Sequence, residues 1–92
     1  MDVYSQIVEK IIIAQEGIIG PIALEQAGKV PGLQVDLSKH DIRFEGQQKE
    51  ILGKLVEQYR NLFGQASVEM CKDAIKGIAS EMKADELPVS LK

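Results

Sequence analysis

Apolar positions along this chain fall into stretches of different period, and each period implies its own element. From Asp2 to Glu16, Val3, Ile7, Ile11 and Ala14 make one stripe at helical spacing, with Tyr4, Val8 and Ile12 beside it. Asp2 is placed to cap that helix. Gly17, Gly20 and Pro21 then interrupt the most apolar part of the sequence. Glycine weakens a helix, and proline drives its predecessor out of helical geometry while suiting the start of a new one. A second, short helix is therefore expected over 21–29, with Gly28 at its C-terminal end.

The period changes over 30–46. Leu33, Val35 and Leu37 alternate with polar residues, as do Ile42 and Phe44, and the parity switches across "SKHD". That pattern describes two short extended pieces joined by a turn, or an irregular connection of the same length. Helical spacing returns at Leu52, Leu55, Tyr59 and Leu62, giving a helix over 47–63 that Gly64 ends. Val68, Cys71, Ile75, Ile78 and Met82 extend the spacing through a last helix over 66–86, followed by a tail at 87–92. The fold expected is mainly α: a single domain over 1–92, a bundle of about four helices ending in an antiparallel αα-hairpin, with an irregular or β-hairpin insert around 32–45.

Composition narrows the function classes. Ninety-two residues, 45% hydrophobic and 27% charged, suit one globular core, and a domain this small is marginal by itself. One cysteine excludes an internal disulfide, and one histidine with one cysteine excludes the usual zinc cages. Self-association is the remaining common remedy for a small core, which gives a homodimer as the expected state. The net charge of −3 comes from acids and bases mixed along the chain, so the protein is small and acidic, and it offers no cationic cluster for a phosphate backbone. No apolar run reaches membrane-spanning length, and the N-terminus lacks the basic flank and cleavage site of a signal peptide. A cytoplasmic protein that binds neither nucleic acid nor membrane is expected.

Four features are candidates for chemistry. "GIIG" at Gly17–Gly20 has the Gly-x-x-Gly spacing with which KH domains clamp a single strand, but isoleucines fill it and no lysine or arginine flanks it. An interhelical turn is the preferred reading. His40, with Asp36 and Asp41 close by in sequence, could serve as a phosphorelay group or one metal ligand, yet it falls in the least helical part of the chain and reads better as a solvated loop residue. Cys71 lies on the apolar stripe of the last helix and reads as core filler, with a reactive thiol as the alternative. Acids and bases such as Glu50, Lys54, Glu57, Arg60, Glu69 and Lys72 alternate as on a solvated helix back, so no catalytic pair stands out and no enzyme or cofactor is expected.

The expected function is a non-enzymatic protein-interaction module that self-associates, as an adaptor or a regulatory or assembly component. The alternative is a signalling or sensor domain using His40 or Cys71, and a third, disfavoured reading is nucleic-acid binding through the Gly17–Gly20 turn. Ile11, Ile12 and Ile13 together span about 200° of helix, more than one core readily covers. Ile12, Ile13, Ile18 and Ile19 are accordingly the expected interface residues.

Overall fold

The computed structural model describes residues 2–91, Met1 and Lys92 lying outside the described residues. Five helices and one hairpin follow in order: α1 (Val3–Ile19), α2 (Ile22–Ala27), β1 (Leu33–Asp36), β2 (Asp41–Phe44), α3 (Gln48–Phe63), α4 (Gln65–Ala74) and α5 (Lys76–Ala79). Single 3-10 turns follow β1 at Leu37–Lys39 and shape the C-terminal segment at Ala84–Glu86 and Val89–Leu91. The mainly α fold with a short β-hairpin expected from the sequence is the one observed.

Asp2 caps α1 by accepting from the backbone N–H of Ser5 at 2.9 Å, which satisfies one of the orphan donors of the first turn. The helix does not stop at Glu16, as expected from Gly17. It runs through that glycine to Ile19 and closes at Gly20, whose N–H reaches the Glu16 carbonyl at 3.0 Å. A single glycine weakens a helix by only about 1 kcal/mol, and continuing the helix brings Ile19 partly into the core. Pro21 stands at the N-cap of α2 and Gly28 at its C-cap.

The insert is a true antiparallel hairpin. Leu33 pairs with Phe44 and Val35 with Ile42, so the two alternating runs share one face, which packs on the core. Gln34, Arg43, Asp36 and Asp41 occupy the other face.

One cluster of buried residues joins every part of the chain. Ile7, Val8, Ile11 and Ile12 come from α1, Ala23 and Ala27 from α2, and Ile51, Leu52, Leu55, Val56 and Tyr59 from α3. Val68, Cys71 and Ile75 complete it from the C-terminal helices, with Leu87 and Leu91 from the segment beyond. Two details differ from the sequence reading. Leu62 is not part of the α3 seam but stands at the surface, and Ile51 and Val56 broaden the buried stripe instead. The last helix is also shorter than 66–86. It unwinds at Ile75 (φ −107°, ψ 7°), resumes for the one turn of α5, and then gives way to turns. Gly77 weakens the helix at this point, and the bend keeps Ile75 buried while freeing the chain to return over α3. That return makes the end of the chain a docked segment, since Leu87, Pro88 and Leu91 are buried.

Candidate interaction surface

His40 closes the 3-10 turn between the strands in the left-handed region (φ 52°). Its Nδ1 stands 3.0 Å from Glu9 Oε1, where an Nδ1–H donates to the carboxylate and ties the hairpin to α1. The other Glu9 oxygen is buried with no hydrogen-bond partner in the described structure. His40 is exposed in the turn, as a solvated loop residue is, and it is also engaged by Glu9. Asp36 and Asp41 do not join it. Asp36 accepts from Ser38 N–H and Oγ–H at 3.1 and 2.6 Å, and Asp41 pairs with Arg43 at 3.2 Å. Among the described residues, no group of three or more His, Cys, Asp or Glu side chains could hold a metal ion.

Cys71 is buried, as a core residue should be. Burial pushes its thiol up to about 11, against the opposing effect of the Gln15 amide, whose Nε2 donates to Sγ at 3.4 Å. The same amide donates to the Ser67 carbonyl at 3.1 Å, so a buried glutamine links α1 to α4. Lys72, the nearest base in sequence, is paired with Glu69 at 3.5 Å. A thiol held protonated in this way is a poor nucleophile. Tyr59 is buried too, its hydroxyl donating to the Ala23 carbonyl at 2.6 Å. Burial, then the charges of Cys71 and Glu16, raise its pKa far above the ordinary phenol range.

"GIIG" is the last turn of α1 and its cap, not a loop, because Gly17 is helical and only Gly20 leaves the helix. The expected interface residues separate in the structure. Ile12 is fully buried, which withdraws it from any surface: the α1 stripe is wide enough to take both Ile11 and Ile12. Ile19 is partly buried against the core. Ile13 is 53% exposed, on the stripe of Glu9 beside the hairpin. Ile18 is 54% exposed at the end of α1.

Three residues absent from the expected interface join Ile18 at that end of the molecule. Gln15 is bonded to Ser67 and Cys71 while Tyr4 is bonded to Glu86, so α1 runs counter to the C-terminal part of the chain. The end of α1 therefore lies beside the start of α4. The Tyr59–Ala23 bond, with Gln58 donating to Gln26 at 2.7 Å, places the last turns of α3 beside α2. The turn at Gly20–Pro21 and the turn at Gly64 thus come to one end, bringing Ile18, Ile22 (45% exposed), Leu62 (51%) and Phe63 (38%) with them. The two longest uncharged runs in the chain, Gly17–Leu24 and Asn61–Val68, form this end. In a sequence that is 27% charged, two runs of eight without a charge were the available signal. An open groove between α3 and the C-terminal segment is lined by Glu50, Gly53, Lys54, Glu57 and Arg60 on one side and Pro88, Val89 and Ser90 on the other.

No protein-family model matches the chain, and neither a curated protein nor a solved structure matches it. Among the described residues, no helix is long and apolar enough to cross a membrane.

Proposed function

We propose that this protein is a small non-enzymatic interaction module of the cytoplasm, binding protein partners, itself included, as an adaptor or assembly component. The observation that carries the reading is that the exposed Ile18, Ile22, Leu62 and Phe63 flank two turns at the same end of the molecule, within the two longest uncharged runs of the chain. Single exposed apolar residues are ordinary, whereas several gathered together mark an interaction site. The groups with shifted pKa values, Tyr4, Tyr59 and Cys71, are each hydrogen-bonded to protein, which supports a structural role for them over a catalytic one. Affinity capture from the native host with wild type and Ile18→Lys tests the reading. A defined partner retained by wild type and lost by the variant, with unchanged circular dichroism, supports it. Equal recovery by both contradicts it.

A further inference from the structure

We propose that the segment Lys83–Leu91 is a detachable strap, and that the trough it fills along α3 and α4 is a binding site for a Leu-Pro-x-x-Leu segment of another protein. The site lies apart from Ile18, Ile22, Leu62 and Phe63 and does not depend on them.

The segment carries its own hydrogen bonds with it. Glu86 N–H donates to the Lys83 carbonyl at 3.0 Å, Lys83 N–H to the Glu86 carboxylate at 2.7 Å, and Leu91 N–H to the Pro88 carbonyl at 3.0 Å. Among the described residues, no backbone–backbone hydrogen bond joins it to a helix or to the hairpin. Side chains make the attachment. Leu87, Pro88 and Leu91 are buried, the last turn lies against both α3 and α4, and the Tyr4 hydroxyl donates to the Glu86 carbonyl at 2.6 Å. A segment held in this way can leave at a free-energy cost below that of global unfolding. The chain leading to it has slack: α4 breaks at Ile75, α5 is a single turn, and Ser80 and Glu81 are exposed turn residues.

The strap fills its trough only in part. Beside it a groove of about 480 Å³ stays open between Gly53, Lys54 and Glu57 of α3 and Pro88, Val89 and Ser90. Gly53 offers no side chain there, so an incoming segment can settle against the α3 backbone before the strap has left.

The strap itself displays the chemistry of its replacement. Leu87, Pro88 and Leu91 are buried while Val89 is exposed, so the trough selects the first, second and fifth positions and leaves the third free. Pro88 restricts its own backbone, and the 3-10 turn Val89–Leu91 that follows is short, which lowers the entropy lost on docking. Tyr4 engages the carbonyl before the first leucine, a group that any peptide provides. Around the groove Glu50 and Glu57 are balanced by Lys54 and Arg60, which favours an uncharged apolar segment over a strongly acidic or basic one. An acyl chain offers neither the turn nor two separated branched side chains. Tethered to the trough, the strap acts at an effective concentration on the order of millimolar, so an outside segment enters where the strap is weakened or its own affinity is higher.

Native-state hydrogen exchange in low urea tests the strap. The amides of Glu86 and Leu91 should exchange through an opening that leaves those of Ile7–Ile12 protected, and Tyr4→Phe should speed that exchange about two- to tenfold. A single opening shared by both groups overturns the proposal. Chemical shifts of the wild type, titrated into the millimolar range with a synthetic peptide copying residues 83–92, test the site. Changes are expected at Tyr4, at Gly53 and along the strap, with none over Ile18–Leu24, and a peptide with both leucines replaced by serine should be silent. Leu87→Ser in the full chain weakens the strap and leaves the trough intact, so it should stay folded by circular dichroism and bind the peptide at least tenfold more tightly than wild type. A Leu87→Ser chain that unfolds overturns the proposal, as does a peptide that binds neither chain or binds both equally. A strap released by phosphatidylcholine vesicles and not by the peptide, or exchanged between two copies of the chain, would overturn the choice of occupant.

Discussion

The two ends of α3 carry similar side chains and meet opposite fates. At the beginning, Ile51, Leu52, Leu55 and Val56 are sealed in the core: Ile51 reaches Gly32 and Gly46 beside the hairpin, and the chain comes back after α5 to bury Leu87, Pro88 and Leu91 along α3. The return passes alongside Gly53: Pro88 Cβ lies 3.5 Å from where a Cβ at Gly53 would stand, ordinary van der Waals contact. The Tyr4 hydroxyl fastens the returning segment by donating to the Glu86 carbonyl at 2.6 Å. At the other end, the connection to α4 is Gly64 alone, and Leu62 and Phe63 stay at the surface. Apolar character does not decide burial here. What decides it is whether the chain has a segment to spend on the cover.

The comparison breaks most visibly in the core beneath the sealed end. Leu91→Ala or Ile75→Ala should cost about 2–5 kcal/mol in chemical denaturation, the range for large-to-small changes at buried sites. Leu62→Ala should change stability by no more than about 0.5 kcal/mol, as for an ordinary surface substitution. Similar losses at Leu91 and Leu62 would mean that the two ends are equally covered.

A smaller effect separates the glycines of the open end. Gly64 has φ +82° and ψ −174°, a region that only glycine visits readily, so Gly64→Ala should cost about 1–3 kcal/mol. Gly17 is helical with open space at its Cβ position, and Gly17→Ala should stabilise by about 0.5–1 kcal/mol. Melting curves that moved in the same direction for both would contradict the assignment of Gly17 to α1.

The pH response reports on the link between α1 and α4. Cys71 is raised from 9.0 to about 11 in the folded protein. Above pH 9 the unfolded thiol releases a proton that the folded one keeps, so stability present below pH 9 is lost as the pH climbs toward 11. Tyr59, raised from 10.0, acts in the same direction at higher pH. Comparing urea unfolding of wild type and Cys71→Ser between pH 8 and 11 should show the steeper fall in wild type. Native Cys71 should also react slowly with a thiol reagent and quickly in denaturant. Equal rates would reopen the sensor reading. The smallest effect belongs to Ile13→Glu: its site lies outside the two uncharged runs, and the substitution should leave self-association nearly unchanged.

Much of this fold was legible because local signals and tertiary packing agree. Asp2 capped the helix it precedes, the alternation of Leu33, Val35, Ile42 and Phe44 marked the two extended pieces, and α3 began and ended within a residue of its expected limits. The break at Ile75 was hidden because Val68, Cys71, Ile75 and Ile78 keep facing the core on both sides of it, so helical spacing persists where the helix does not. Gln15 and the Glu9–His40 pair were invisible for another reason. Polar side chains show no period, and their partners lie 52 and 31 residues away. Leu62 misled because periodicity names a face without saying whether anything lies opposite. The candidate surface was half legible: Ile18 came from the apolar run, while Ile22, Leu62 and Phe63 needed the two turns brought together.

Hydrogen exchange as a function of protein concentration tests the central claim most directly, since it needs no substitution. Amides in Gly17–Leu24 and Asn61–Val68 should gain protection together as concentration rises from micromolar to millimolar, while the hairpin at Leu33–Phe44 and the segment around Leu87–Leu91 keep the same rates. Protection that is independent of concentration, or that grows in the hairpin instead, would contradict the account.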